Sequence, residues 1–350
     1  MKPHKTGRAH ASGTGSVTRF PRDAWYALAR ADEVGRSPAG RVVHGTGVVL
    51  YRTSAGTVAA LADRCAHRPY PLSLGRVAGD LLISSYSGFA YGPDGRVVSV
   101  PTQKRVPVGA AVRAYPVREY AGLVWVWTGS PGLASRRPLP ALPWLTEPDW
   151  TTFGADWETA AAGGLLQDNF ADITHVPHLD PALAPPVLHQ VPPRLDVEVT
   201  EQQVRFRRDF PPARLQTWQS EATGLPPEGE YAQHEEGWFA APGLWADRWD
   251  VLVPGEPLTL HFTHALTPVD ERRTRHYWAV SRNFSPKPET TGILRPILDG
   301  YYRKVKDALE VMQALVDREG PAPEVRVRAD AALLEVRRVM RRLLTEDTAR

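Results

Sequence analysis

Two short stretches of this chain hold side chains that could do chemistry. In the first, Arg64-Cys65-Ala66-His67-Arg68-Pro69-Tyr70-Pro71-Leu72-Ser73-Leu74-Gly75, a thiol and an imidazole stand two residues apart. Thiolates and imidazoles are ligands for transition metals, yet a free cysteine is more often a small buried hydrophobe, so the pair alone leaves both readings open. The second stretch runs Asp168-Asn169-Phe170-Ala171-Asp172-Ile173-Thr174-His175-Val176-Pro177-His178-Leu179-Asp180. On a helical turn His175 and His178 share a side. Histidine and aspartate side chains are among the usual acids and bases of catalysis.

The rest of the chain must position these residues. Hydrophobic residues make up 42% of it and charged residues 23%, the ordinary mix of a protein with a buried core. The 350 residues suit one large domain or two of ordinary size. Lys and Arg number 42 against 39 Asp and Glu, and a surplus this small is no footprint for nucleic acid. Cys65 is the only cysteine, which rules out an intrachain disulfide, and no apolar run is long enough to span a bilayer. A soluble cytoplasmic protein is expected.

Residues 1–19 are rich in Gly, Ser, Thr, His and Lys and read as a disordered tail. Residues 20–135 read as a small all-β domain, with short strands at Val42–Tyr51, Thr57–Leu61, Val112–Val117 and Leu123–Trp127. Pro131, Pro138, Pro140, Pro143 and Pro148 then mark a connection. Residues 136–350 read as an α+β domain. It has a helix at Ala160–His175, strands at Leu195–Phe210, Leu258–Val269 and His276–Val280, and helices at Ile293–Asp317 and Asp330–Leu344. In the last helix Leu333, Val336, Met340, Leu343 and Leu344 form one stripe, with Arg337, Arg338, Arg341 and Arg342 largely elsewhere, so the stripe should pack on a sheet.

The string around Cys65 resembles the oxygenase components of Rieske non-haem iron aromatic-ring hydroxylases, of the vanillate-demethylase and prodigiosin-cyclase type. There C-x-H-R-x-x-P-L-S-x-G is followed by C-x-x-H-G, each pair giving one Cys and one His to a [2Fe–2S] cluster. The present chain keeps the frame of the second half, Gly79 to Phe89, but has Ser84 where the resemblance implies Cys and Ser87 where it implies His. A serine hydroxyl would have to lose a proton of very high pKa to bind iron. The Asp168 to His175 string resembles the family's mononuclear-iron motif, whose second histidine position falls on Asp180. Matching Leu309-Glu310 to the family's final helix puts the third ligand position on Val305. Asp307 is two residues on, a rotation of about 200° along a helix.

The resemblance spans about residues 22–345 and implies an N-terminal Rieske-like β domain before a helix-grip-like catalytic domain with an antiparallel sheet and helices. It implies a homotrimer, in which an aspartate at the position of Asp172 passes electrons between subunits. With Cys65 and His67 as the retained half of the cluster site, the expectation is no cofactor: no [2Fe–2S] cluster and no metal. A natural-product tailoring enzyme is expected, catalysing an oxygen-independent cyclisation, pericyclic step or isomerisation of a small apolar or aromatic substrate. Its site residues would be His175, Asp172, His178, Asp180 and Asn169, near an aromatic group of Trp238, Phe239, Trp245, Trp249 and Trp278. Two alternatives stay open: an oxygenase holding Fe(II) by His175, His178 and Asp180 with an external electron donor, or a non-catalytic partner subunit.

Overall fold

The structure, a computed structural model, describes residues 19–348; the tail reading therefore lies, apart from Arg19, outside the described residues. Ten short strands build the first part: β1 Trp25–Arg30, β2 Ala39–Val43, β3 Thr46–Arg52, β4 Val58–Ala62, β5 Arg76–Ala78, β6 Leu81–Ile83, β7 Ala90–Tyr91, β8 Val97–Ser99, β9 Val117–Tyr120 and β10 Leu123–Trp127. They form three small antiparallel sheets, β1-β10-β9, β2-β3-β4 and β5-β6-β7-β8. The single strand expected at Val42–Tyr51 is a hairpin. His44 and Gly45 both have positive φ, 51° and 70°, which makes the two-residue loop whose twist suits paired strands. Between Val112 and Pro116 the chain makes a single isolated bridge, Ala114 with Leu61, and the strand begins at Val117.

After the short helix α1 (Pro143–Thr146), the second part is built on seven antiparallel strands: β11 Thr151–Thr159, β12 Asp196–Val199, β13 Gln203–Arg214, β14 Glu230–Ala240, β15 Leu244–Val251, β16 Leu258–Pro268 and β17 Thr274–Arg282. Their order is β11-β17-β16-β15-β14-β13-β12. The strand expected at Leu195–Phe210 folds back on itself, with Val199 opposite Val204. In β14 Gly237 has no side chain because the Phe206 ring lies there; a Cβ would come within 1.9 Å of it.

Helices α2 (Gly163–Ala171), α3 (Val176–Leu179), α4 (Thr217–Thr223), α5 (Pro288–Glu319) and α6 (Ala331–Thr348) complete the chain. The helix expected at Ala160–His175 is α2 followed by a 3-10 turn at Ile173–His175. Asp172 separates them in an extended conformation, its carboxylate accepting from the Thr174 N–H at 2.9 Å. The α6 stripe packs on β13 and β12 as expected, with Leu333, Val336, Met340 and Leu343 buried. Arg337 departs from that reading: it is buried too, because Asp168 of α2 meets its guanidinium at 2.6 Å.

The two parts share their apolar interior. Trp25, Trp125 and Trp127 pack with Trp238, Leu244 and Tyr277 of the large sheet. The Thr267 hydroxyl donates to the Ala27 carbonyl at 2.5 Å, and the N–H groups of His44 and Gly45 donate to the carbonyls of Pro268 and Val269 at 2.8 and 2.7 Å.

Candidate active site

Helices α2, α4 and α5 hold a cavity of about 110 Å³ against β15 and β16. That is comparable to the roughly 150 Å³ apolar cavity that takes one benzene ring in a protein core. Phe170, Trp218, Trp245, Trp249 and Phe262 supply aromatic walls, with Leu183, Leu188, Leu260 and Leu298 between them. Of the aromatic group expected from the sequence, Trp245 and Trp249 line this space. Trp238, Phe239 and Trp278 do not; Trp238 packs edge-on to Trp144, and Trp278 against Tyr302.

Polar atoms gather at one end. His175 Nδ1 lies 2.7 Å from the backbone carbonyl of Asp172. A carbonyl only accepts, so Nδ1 carries the ring proton and Nε2 presents a lone pair. That lone pair is met by the Tyr301 hydroxyl at 2.8 Å and the Asn169 amide at 3.1 Å, both of which donate to it. Burial holds the His175 pKa below the usual histidine range, against the opposing pull of the Asp172 carbonyl and carboxylate, so the ring is neutral at pH 7. Burial also pushes the Tyr301 hydroxyl well above its ordinary pKa, so it stays a donor.

Among the expected site residues, the structure brings together His175 and Asn169. The Asp172 carboxylate is engaged with the Thr174 N–H and hydroxyl, at 2.9 and 2.7 Å. His178 is exposed at the end of α3, because the 3-10 turn rotates it away from the cavity. Asp180 is buried in an ion pair with Lys304 at 2.8 Å. His175, His178 and Asp180 therefore do not converge as the alternative iron site required. Val305 is buried and apolar, while Tyr301, one turn earlier on the same face of α5, reaches His175. Tyr301 was not found from the sequence, and its position one turn before Val305 was the only signal for it.

A second polar layer lies behind. His264 Nδ1 and His276 Nε2 are 2.9 Å apart, and Phe170 stacks on His264 with ring centres 4.1 Å apart. Burial lowers both histidines, His276 to about 3. The unfolded chain takes up these protons near pH 6.5 and the folded one does not, so stability is full above pH 6.5 and falls as the pH drops below it. Thermal unfolding followed between pH 7.5 and 4 is expected to show a falling Tm, and a shallower fall in His276→Asn.

At the tip of the first part Cys65 follows β4, and Ser84 and Ser87 lie in the turn between β6 and β7. Cys65 Sγ is 3.3 Å from Ser87 Oγ and accepts from the Tyr91 hydroxyl at 3.1 Å. Burial alone would raise this thiol; the bonds from Ser87, Tyr91 and the backbone at His67 and Arg68 outweigh it and bring the pKa down to about 7. The Ser84 hydroxyl accepts from the Ser87 N–H at 3.4 Å, and the exposed His67 ring stacks on Phe89.

With sheet order and site in view, the class of protein follows. Residues 24–116 match the Rieske [2Fe-2S] domain family, and residues 159–346 match the vanillate O-demethylase oxygenase C-terminal domain family. The chain belongs to the Rieske non-haem iron oxygenase family. The oxygenase component of dicamba O-demethylase from Stenotrophomonas maltophilia is 30% identical, over 93% of this chain and 98% of that protein. A vanillate O-demethylase oxygenase subunit from Pseudomonas sp. (strain HR199 / DSM 7063) is 27% identical, over 94% and 96%. The crystal structure of dicamba monooxygenase bound to 3,6 dichlorosalicylic acid superposes with a TM-score of 0.87 at 26% identity, covering 96% of this chain and 100% of that one. The expected fold, a Rieske-like β part before an α+β part with an antiparallel sheet, is the one observed.

These matches overturn the expectation of no cofactor. A Rieske [2Fe-2S] domain and oxygenase relatives, one of whose crystal structures holds non-heme iron, imply both a cluster and a mononuclear iron. The side chains present at the two places do not make the usual ligand sets. One thiol, one imidazole and two hydroxyls stand at the tip, where a Rieske cluster takes two thiolates and two imidazoles. At the other place one imidazole stands with its Nε2 already hydrogen-bonded, a carboxylate is turned to Lys304, and Val305 has no donor atom. Among the described residues no helix is long and apolar enough to cross a membrane.

Proposed function

We propose that this chain is an enzyme acting on a single-ring aromatic compound, with Tyr301 and His175 moving a proton at the substrate. The observation that carries the reading is the Tyr301–His175 pair at the polar end of an aromatic-walled cavity. A substrate hydroxyl or ring N–H beside the Tyr301 oxygen gives up its proton to Tyr301 as the Tyr301 proton passes to His175 Nε2. The imidazolium so formed is held by the Asp172 carbonyl at Nδ1, its new Nε2 proton facing the Tyr301 oxygen; Asn169 steadies the ring in its neutral form. Phe170, Trp245 and Trp249 orient the ring and exclude water, so that orientation adds to acid–base assistance. An isomerisation or cyclisation begun by that proton removal is the reaction this relay supports.

A second reading is favoured by the relatives, which are O-demethylase oxygenase components: hydroxylation or demethylation of a small aromatic substrate with iron. Two measurements separate the readings. Titration of the protein with single-ring aromatics is expected to quench tryptophan fluorescence, and the quenching should be smaller in Trp249→Ala. Absence of binding by every such compound would remove the cavity as the site. Iron and acid-labile sulfide analysis of protein produced with both supplied, followed by turnover under nitrogen and under air, tells proton chemistry from oxygenation. A product that forms only in air, on protein carrying two irons and two sulfides per cluster, establishes the second reading.

A further inference from the structure

We infer that the compound this cavity takes carries no negative charge and is held by its polar group against Asp247. The inference rests on the reading above, that a single aromatic ring enters the cavity, and adds which ring. Among the described residues lining the cavity none is Lys or Arg. Its two histidines are both engaged: His175 at Nδ1 by the Asp172 carbonyl and at Nε2 by Tyr301 and Asn169, and His264 at Nδ1 by His276. Asp247 of β15 also lines it, and one of its carboxyl oxygens, Oδ1, is sealed from solvent without a hydrogen-bond partner.

What stands behind Asp247 sets the charge. Glu235 of β14 is wholly buried, and the Arg208 guanidinium lies 2.7 Å from it. The diagonal register of β14 and β15, with Gly237 opposite Asp247 and Glu235 opposite Trp249, brings the two carboxyl groups to neighbouring positions on one face. Two carboxyls thus face one buried guanidinium. Of the other basic groups nearby, Arg248 is committed to Asp250 at 2.9 Å, Lys304 to Asp180 at 2.8 Å and His234 to Asp209 at 2.6 Å, while Asp172 and Glu236 are further acids. Burial, and then the Glu235 charge, push the Asp247 carboxyl well above the usual carboxylate range, toward its neutral form, against the opposing pull of Arg208. An aromatic carboxylate or sulfonate would bring a third acid to this desolvated corner with no free cation to meet it. A neutral amide or phenol can exchange hydrogen bonds with the Asp247 carboxyl. A protonated amine can form an ion pair with it, a proton leaving Asp247 to solvent.

Three probes of one shape test this at pH 7: benzoate, benzamide and benzylamine, titrated by calorimetry into the full-length protein. Benzamide and benzylamine are expected to bind at least about tenfold more tightly than benzoate. Benzylamine binding should release a proton, read from the dependence of its heat on the buffer. Asp247→Asn, isosteric and checked by its Tm, should weaken benzylamine about tenfold and leave benzamide within about threefold. Glu235→Gln, which removes the charge behind the site, should strengthen benzoate. Benzoate binding as tightly as benzamide to the unaltered protein overturns the inference while leaving the aromatic cavity standing, as does benzylamine affinity indifferent to Asp247→Asn. No binding by any of the three overturns the cavity reading and this inference together.

Discussion

Turnover of the aromatic substrate is expected to fall about 10²–10⁴-fold when His175 is replaced by alanine, the range for loss of a positioned base. Tyr301→Phe should fall less, because the substrate can then reach Nε2 directly. The ring walls are untouched in both variants, so KM should move far less than kcat, as it does when an interaction made in the transition state is removed. The pH profile distinguishes this from a packing role. Burial lowers the His175 pKa, so in the unaltered enzyme the acid limb of kcat/KM should lie below pH 6.5, and Tyr301→Phe should shift it. Steady-state rates for the two variants between pH 5 and 8 measure this. Equal rates in His175→Ala and the unaltered protein would remove His175 from the chemistry.

The second large effect falls on the element that carries Asn169. Arg337 of α6 bonds both oxygens of Asp168, Nε to Oδ1 at 3.0 Å and Nη2 to Oδ2 at 2.6 Å, and also Glu324. Its side chain is 5% exposed and that of Asp168 15%, whereas Glu324 is 51% exposed. Solvent screens the Glu324 contact, so the Asp168 contact is the one that counts. Arg337→Leu takes two charge-assisted hydrogen bonds from the half-buried Asp168 carboxylate and should cost about 1.5–3 kcal/mol, read as a lower urea midpoint. Glu324→Gln should change the midpoint little. Because Asp168 adjoins Asn169, Arg337→Leu should also weaken aromatic binding in the protein that remains folded.

Much of the site was legible in the Asp168 to His175 string, because a local motif fixes a local turn: Asn169 and His175 lie six residues apart and meet. The string carried less far past the turn. His178 and Asp180 were read from the same segment, but the extended Asp172 and the 3-10 turn after it re-aim the chain, a change of pitch that no residue type announces. Tyr301 is 126 positions from His175 and meets it only through the packing of α5. Asp247 and Glu235 were hidden for another reason. A strand is recognised by apolar residues on its inner face, and β14 and β15 bury carboxyl groups and Gln233 there, so the alternation is broken where the site is built. The hairpin at His44-Gly45 was missed because flanking valines read as one continuous strand. The cofactor expectation failed differently: it was drawn from four positions, whereas membership of the family rests on the whole chain.

The wall that Trp25, Trp125 and Trp127 make with Trp238 and Tyr277 has a consequence for heredity as well as for stability. A front part whose tryptophans complete the rear part's interior is not a detachable cartridge. Cutting it away would strip the back of the catalytic sheet and leave aromatic faces open to aggregation. Substitutions at the Cys65 tip leave this wall untouched, because the tip lies beyond β4 and between β6 and β7 while the tryptophans that meet the rear half stand on β1 and β10.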